Sequence, residues 1–250
     1  MLRPVSGRVS VQAQSTGSPV DGGAVRHPAI PPEAGSALSL ETIALGSSAS
    51  LELTDAAVDS LVFVHGGTGH VALGGEEHRF DAACSSYVKA GAAATLHSGE
   101  GGLTCVRITV ADEVDLHAPF GSAECVVALE DAESGTATGA RSFQILHGPH
   151  NGSVRATAFA GTIPPGKAPW HYHLYDEIVW IRAGRGRLHL GETVEELSPG
   201  SAFRLHPREV HIVENLSADE PLEVVGFFTP AGSPSAAYLE PGVAESYAFS

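Results

Sequence analysis

The sequence predicts an all-β protein built as two tandem barrels, each a double-stranded β-helix or jelly roll, and three observations carry that expectation. Apolar and alternating runs are short, at 61–64, 105–110, 154–159, 178–181 and 222–228, and no stretch carries a long helical period. The chain contains 29 Gly and 16 Pro, residues that many tight turns between short strands demand. Residues 59–74 (DSLVFVHGGTGHVALG) mirror residues 176–191 (DEIVWIRAGRGRLHLG), and Gly67 and Gly184, like Gly74 and Gly191, stand 117 positions apart. A constant step marks a tandem duplication. The same step takes Ser85 to Ala202 and Ile108 to Val225 without a gap. With 250 residues, 43% of them hydrophobic, the chain can bury two compact cores of roughly 100 residues each.

In chain order, residues 1–32 mix Ser, Gly, Pro, Gln and Val without a strong period. They form either an N-terminal tail or, through Val5, Val9 and Val11, a strand added to the neighbouring copy or to a second subunit. Residues 33–112 make the first barrel. The stretch 113–140 is acidic and rich in small residues and reads as a linker wrapping the second barrel, which occupies 141–232. A short tail, 233–250, follows. There is no basic-then-apolar leader and no apolar run long enough to span a bilayer, so a soluble, cytoplasmic protein is expected.

Chemistry concentrates at His171, His173 and Glu177, answered downstream by His211. Side chains alternate along a strand, and 171, 173 and 177 differ by even steps, so one wall can present all three inward. Imidazole and carboxylate without thiolate suit divalent iron, manganese, cobalt, nickel, copper or zinc rather than an iron–sulfur cluster. Three imidazoles and one carboxylate leave open positions on a six-coordinate ion, as a catalytic site requires.

Here the sequence resembles the cupin superfamily. Its first motif is met by Gly166, His171, His173, Glu177 and Gly184, and its second by Pro207, His211 and Asn215. Arg208 and Glu209 stand where the family usually has a turn Gly. The resemblance implies that His171, His173, Glu177 and His211 ligate one divalent transition metal, with Fe2+ first and Zn2+, Mn2+ or Ni2+ as alternatives. Applying the 117-residue step places Thr54, Ala56, Ser60 and Ala94 opposite these four. None can replace an imidazole, so the N-terminal copy looks like a cupin that has lost its metal.

For a substrate pocket, strand parity puts Arg155 and Phe159 on one face of the strand entering the second barrel, with Val179 and Ile181 continuing the face of Glu177 and Val213 that of His211. Phe203 and Phe227 are wall residues from neighbouring strands. In one phase Arg155 points inward and holds a substrate carboxylate; in the other Ala156 and Ala158 pack inside and Arg155 faces solvent. Tyr175 and His206 are the candidate pocket bases. Ile178 and Trp180 have the opposite phase from Glu177 and need cover, either from the chain's own tail or linker or from a sheet-to-sheet homodimer contact, which bicupins commonly form.

The remaining His residues lack ligand spacing. His65, His70, His78 and His97 suit surface or packing roles, His189 and His206 structural ones. His147 and His150 lie in a loop that either covers the metal mouth or simply turns. Cys84, Cys105 and Cys125 are odd in number and read as reduced thiols. A net charge of −15 argues against nucleic acid or anionic membrane as partner. Three functions remain: an iron(II) oxygenase taking a small organic acid or an aromatic or enolisable carbonyl compound with dioxygen, a non-redox isomerase, cyclase or lyase using the ion as Lewis acid, and a small-molecule sensor without turnover.

Overall fold

The computed structural model describes residues 9–11, 18–20, 23–111, 113–137 and 140–239. The first half contains β1 (Ser10–Val11), β2 (Ser18–Val20), β3 (Ala24–Ile30), β4 (Leu38–Leu45), β5 (Ser50–Glu52), β6 (Asp59–Leu73), β7 (Glu76–Arg79), β8 (Cys84–Val88) and β9 (Ala94–Val110). The connection carries β10 (Val126–Ala128), a 3-10 turn at Leu129–Asp131 and β11 (Ser134–Thr136). Then come β12 (Ser142–His147), β13 (Thr157–Ile163), β14 (Gly166–Lys167), β15 (His171–His173), β16 (Asp176–Ala183), β17 (Gly186–Leu190), β18 (Thr193–Leu197), β19 (Ser201–Leu205), β20 (His211–Asn215), β21 (Leu222–Thr229) and β22 (Ala237–Leu239). The protein is all-β, as expected.

One sheet runs β10-β8-β6-β9-β4-β3-β2, a second β1-β19-β16-β21-β13-β12-β11, and a third β18-β17-β20-β15-β22. The second and third sheets face each other and enclose the C-terminal barrel. The duplication is visible in the hydrogen-bond register. Phe63 pairs with Ser85 as Trp180 pairs with Ala202, and Val71 with Leu96 as Leu188 with Val213, all at the 117-residue step. Past that point the step changes. Leu61 pairs with Ile108 while Ile178 pairs with Phe227, so the counterpart of Ile108 is Phe227, 119 positions on, and not Val225. The turn between Asn215 and Leu222 is two residues longer than the one between Ser98 and Leu103, and the ungapped repeat expected from sequence is corrected there.

The segments outside the repeat are built into the sheets. β1 adds to β19 of the second half, Ser10 opposite Ala202, and partly buried Val9 packs on the C-terminal core. Val5 lies outside the described residues. β3, expected in the tail, is an interior strand of the first sheet. The expected linker supplies edge strands to both halves, β10 on β8 and β11 on β12, with Gln144 Nε2 donating to the carbonyls of Leu129 and Ala132.

The central core lies between the two large sheets. Leu61, Phe63 and Ile108 from the first half meet Ile178, Trp180 and Phe227 from the second. Trp180 is covered within the chain by this core, which the first copy dominates and to which Ile30 from the expected tail and Val127 and Leu129 from the expected linker also belong. The face that looked unpartnered in sequence is the joint of a pseudosymmetric pair.

Candidate metal centre

His171 on β15 stands directly opposite His211 on β20, and His173 lies one alternation further along β15. The three rings pack with centroids 4.4 Å (171 to 211), 5.1 Å (171 to 173) and 5.0 Å (173 to 211) apart. One nitrogen from each lies within 4.8 Å of the others, a group able to hold a metal ion. The Nδ1 atoms of His171 and His211 sit 2.8 Å from the carbonyls of Pro169 and Glu209, which fixes the tautomer and leaves Nε2 to ligate. Burial first, then the neighbouring imidazoles and Arg141, push His171 down to about 3 and His173 to about 2; burial lowers His211 to about 4. All three are therefore neutral donors at neutral pH, the form a metal requires.

Glu177 approaches from the other sheet, its Oε2 3.5 Å from His173 Nε2. The single inward wall expected from the even steps is corrected: a bend at Leu174 and Tyr175 separates β15 from β16, and the imidazoles and the carboxylate come from facing sheets. Burial pushes Glu177 up to about 8, opposed by Arg141. Gly226 makes this burial possible, since a Cβ there would fall 2.3 Å from the Phe159 ring and 3.2 Å from Glu177 Oε1.

The loop before His211 closes without the family's glycine. Arg208 adopts φ +66°, a left-handed conformation costing an L-residue roughly 1–2 kcal/mol, and donates its backbone N–H to the His173 carbonyl at 2.6 Å. Glu209 Oε2 accepts from the His206 amide at 3.1 Å. The second-motif loop is thus tied to the first-motif strand.

A cavity of about 680 Å3, its open mouth included, lies over these groups. Of the pocket residues expected from sequence, Phe159, Val179, Val213 and Tyr175 line it. Tyr175 stacks between His173 (4.6 Å) and Phe228 (4.1 Å). Five others are displaced. Arg155 precedes β13 in a bend and turns toward the first half, where its Nη1 pairs with Asp59 at 3.2 Å. Ile181 and Phe203 point inward but lie in the packed base of the barrel with Leu188 and Leu197. Phe227 has the opposite phase and fills the joint between the halves. His206 lies outside, 3.2 Å from Glu33, and cannot serve as a pocket base. The loop at His147 and His150 does not cover the cavity either; His147 is enclosed near Tyr87.

Arg141 and Phe143 line the cavity and were not foreseen. The signal was the alternation of Arg141, Phe143 and Ile145, hidden because Arg141 adjoins the stretch read as linker. Pro234, Ser235 and Ala237 also reach the cavity, because β22 pairs with β15, Ala237 opposite His173. Nothing in the composition of 233–250 marks that pairing.

The corresponding place in the first half is filled. Val62 pairs with Arg107 as Val179 pairs with Gly226, so Arg107 replaces the glycine beside Glu177. Its guanidinium donates to Ser60 Oγ at 2.7 and 2.9 Å, to the Leu53 carbonyl at 3.3 Å and to Glu41 at 3.3 Å, and Glu41 also accepts from Arg26 at 2.6 and 2.8 Å. Ser60 is the residue that the repeat aligns with Glu177.

Residues 160–228 match the family model described as Cupin domain. The fold is that of a cupin. A mutant of Bacillus subtilis oxalate decarboxylase superposes with a TM-score of 0.75 at 15% identity, covering 95% of this chain and 80% of that one. The E. coli protein Ylba gives 0.72 at 10% identity, with 88% and 89% covered. A putative glyoxylate induced protein from Pseudomonas aeruginosa gives 0.69 at 14%, with 84% and 83% covered. At such identities the likeness is one of cupin fold. No curated protein matches the sequence. Among the described residues, His171, His173 and His211 are the group able to hold a metal, and no helix is long and apolar enough to cross a membrane.

Proposed function

We propose that the C-terminal barrel is a metal-dependent enzyme centre acting on a small organic acid or an aromatic or enolisable carbonyl compound, and that the N-terminal barrel is a metal-free scaffold. The observation that carries this reading is the convergence of three neutral imidazoles and the Glu177 carboxylate on the floor of a largely apolar cavity. The donor set fits a divalent ion with open coordination positions. Such an ion supplies Lewis acidity and, when it is iron(II), a means of activating dioxygen. The chain's own residues do the rest. Pro169 and Glu209 carbonyls orient the imidazoles, Phe159, Val179 and Val213 exclude water, and Tyr175 places a phenol beside His173 as the candidate proton carrier.

Iron(II) oxygenation is the chemistry we favour. Its competitor is a non-redox reaction with the ion as Lewis acid; manganese as that ion is supported by the fold shared with oxalate decarboxylase, a protein with Mn(II) centres. Metal analysis of protein purified without added metal should find one equivalent per chain, lost in His211→Ala. Two equivalents would overturn the scaffold role of the first barrel, and none would overturn the metal reading. Turnover that persists unchanged without dioxygen would eliminate the oxygenase.

A further inference from the structure

Two of the three imidazoles are oriented by carbonyls of their own turns, His171 by Pro169 and His211 by Glu209. His173 differs. Its ring faces the carbonyl of Ala236, in the segment leading into β22, and its buried Nδ1 has no hydrogen bond of normal geometry. Ala236 belongs to neither metal motif.

The segment around it is a strap across the cavity. It starts where Gly232 exchanges two hydrogen bonds with Thr157 Oγ1, each of 3.0 Å. Buried Pro234, then Ser235 and Ala237, form part of the cavity wall. At its far end Tyr238 stacks on Tyr172 with ring centroids 5.5 Å apart. β22 matches all three residues of β15, whereas among the described residues β20 meets β15 at the single pair of His171 and His211. The strand carrying two of the imidazoles thus takes its register mainly from the strap. An edge strand that merely closed the sheet would need neither the cavity contact nor the one with His173.

A ligating imidazole is normally fixed by a carbonyl or carboxylate on its second nitrogen, which sets both tautomer and direction. We propose that Ala236 is a positioning residue of the metal centre, its carbonyl accepting from His173 Nδ1–H when β22 seats on β15. The inference rests on the metal reading above. By linkage, an ion that needs His173 directed inward also favours the seated strap, and a loosened strap weakens the hold on the ion.

The test uses the full chain as wild type, Tyr238→Ala and Tyr238→Phe; Tyr238 is exposed, so neither change opens a core. In cobalt(II) titrations followed by visible absorption, Tyr238→Ala should bind about 10-fold more weakly, the lower figure for disturbing an outer partner of a ligand, and with altered ligand-field bands. Tyr238→Phe, which keeps the stacked ring, should stay close to wild type. Amide exchange at 236–239 of wild type should slow when cobalt binds. Equal affinity and bands in wild type and Tyr238→Ala, or exchange at 236–239 indifferent to cobalt, would overturn the proposal. Wild type unable to hold cobalt would instead overturn the metal reading. Nitrogen-15 spectra of the histidine-labelled apoprotein, assigned with His173→Gln, then decide the orientation by themselves. A His173 proton on Nδ1 in wild type, shared with Nε2 in Tyr238→Ala, supports Ala236 as its acceptor; a proton on Nε2 in both overturns it.

Discussion

His147 shows at the residue scale what enclosure does to an ionisable group. It is fully buried, 6.3 Å from the Tyr87 ring, and lies against the Ser85 backbone without a hydrogen bond of normal geometry. Burial lowers it to about 4 from an ordinary 6.5. Because the folded value lies below the unfolded one, its contribution to stability is present above about 6.5 and is lost as pH falls through that window, to a total of about 3 kcal/mol. Urea unfolding of wild type and His147→Leu at about pH 7 and about pH 4 checks this: wild type should lose about 3 kcal/mol more than the variant on acidification. The metal-site imidazoles titrate in both proteins alike, so they cancel from the difference. A difference that does not change with pH would sink the assignment. This His carried no motif and no spacing; only the packing of β12 against β8 makes it unusual.

At the scale of the strand, β9 and β21 answer one another with opposite solutions. Gly226 leaves room for a carboxylate and a ligand, while Arg107 fills the equivalent place with a cation that is itself paired. Removing Arg107 leaves Glu41 with Arg26 alone and Ser60 without its donor. Arg107→Leu should therefore destabilise the protein by about 3 kcal/mol in denaturant melts, the lower end for breaking a buried pair because Arg26 remains, while metal content stays unchanged. A fall in bound metal on this substitution would show that the first barrel takes part in metal binding. The repeat in the sequence aligned Thr54, Ala56, Ser60 and Ala94 with His171, His173, Glu177 and His211. It could not reveal the replacement, because the two-residue insertion after Asn215 throws a fixed step out of phase before it reaches Arg107.

At the scale of the molecule, an extended apolar core joins the two halves. Trp180, 3% exposed, packs on residues of the first sheet, with His65 4.9 Å from its ring. A core shared between halves couples their unfolding. Tryptophan fluorescence and far-ultraviolet circular dichroism should report one coincident transition for wild type, and Trp180→Ala should lower its stability by about 3–5 kcal/mol, the range for emptying an aromatic site in a core. Separate transitions in the wild-type protein would show that the halves fold independently. β1 crossing to β19 and β11 joining β12 tie the same halves at their edges.

The sequence by itself determined the strand-rich class, the internal repeat and the imidazole cluster. These follow from residue type and spacing, which local backbone geometry converts directly into faces and turns. It did not determine which neighbour a strand would meet. The displacement of Arg155 and Phe227 from the cavity, the cover over Trp180, the arrival of Arg141 and β22 at the imidazole cluster, and the guanidinium inside the first barrel all depend on pairings between segments far apart in the chain. Strand phase says which side chains point together; only the tertiary structure decides what stands opposite them.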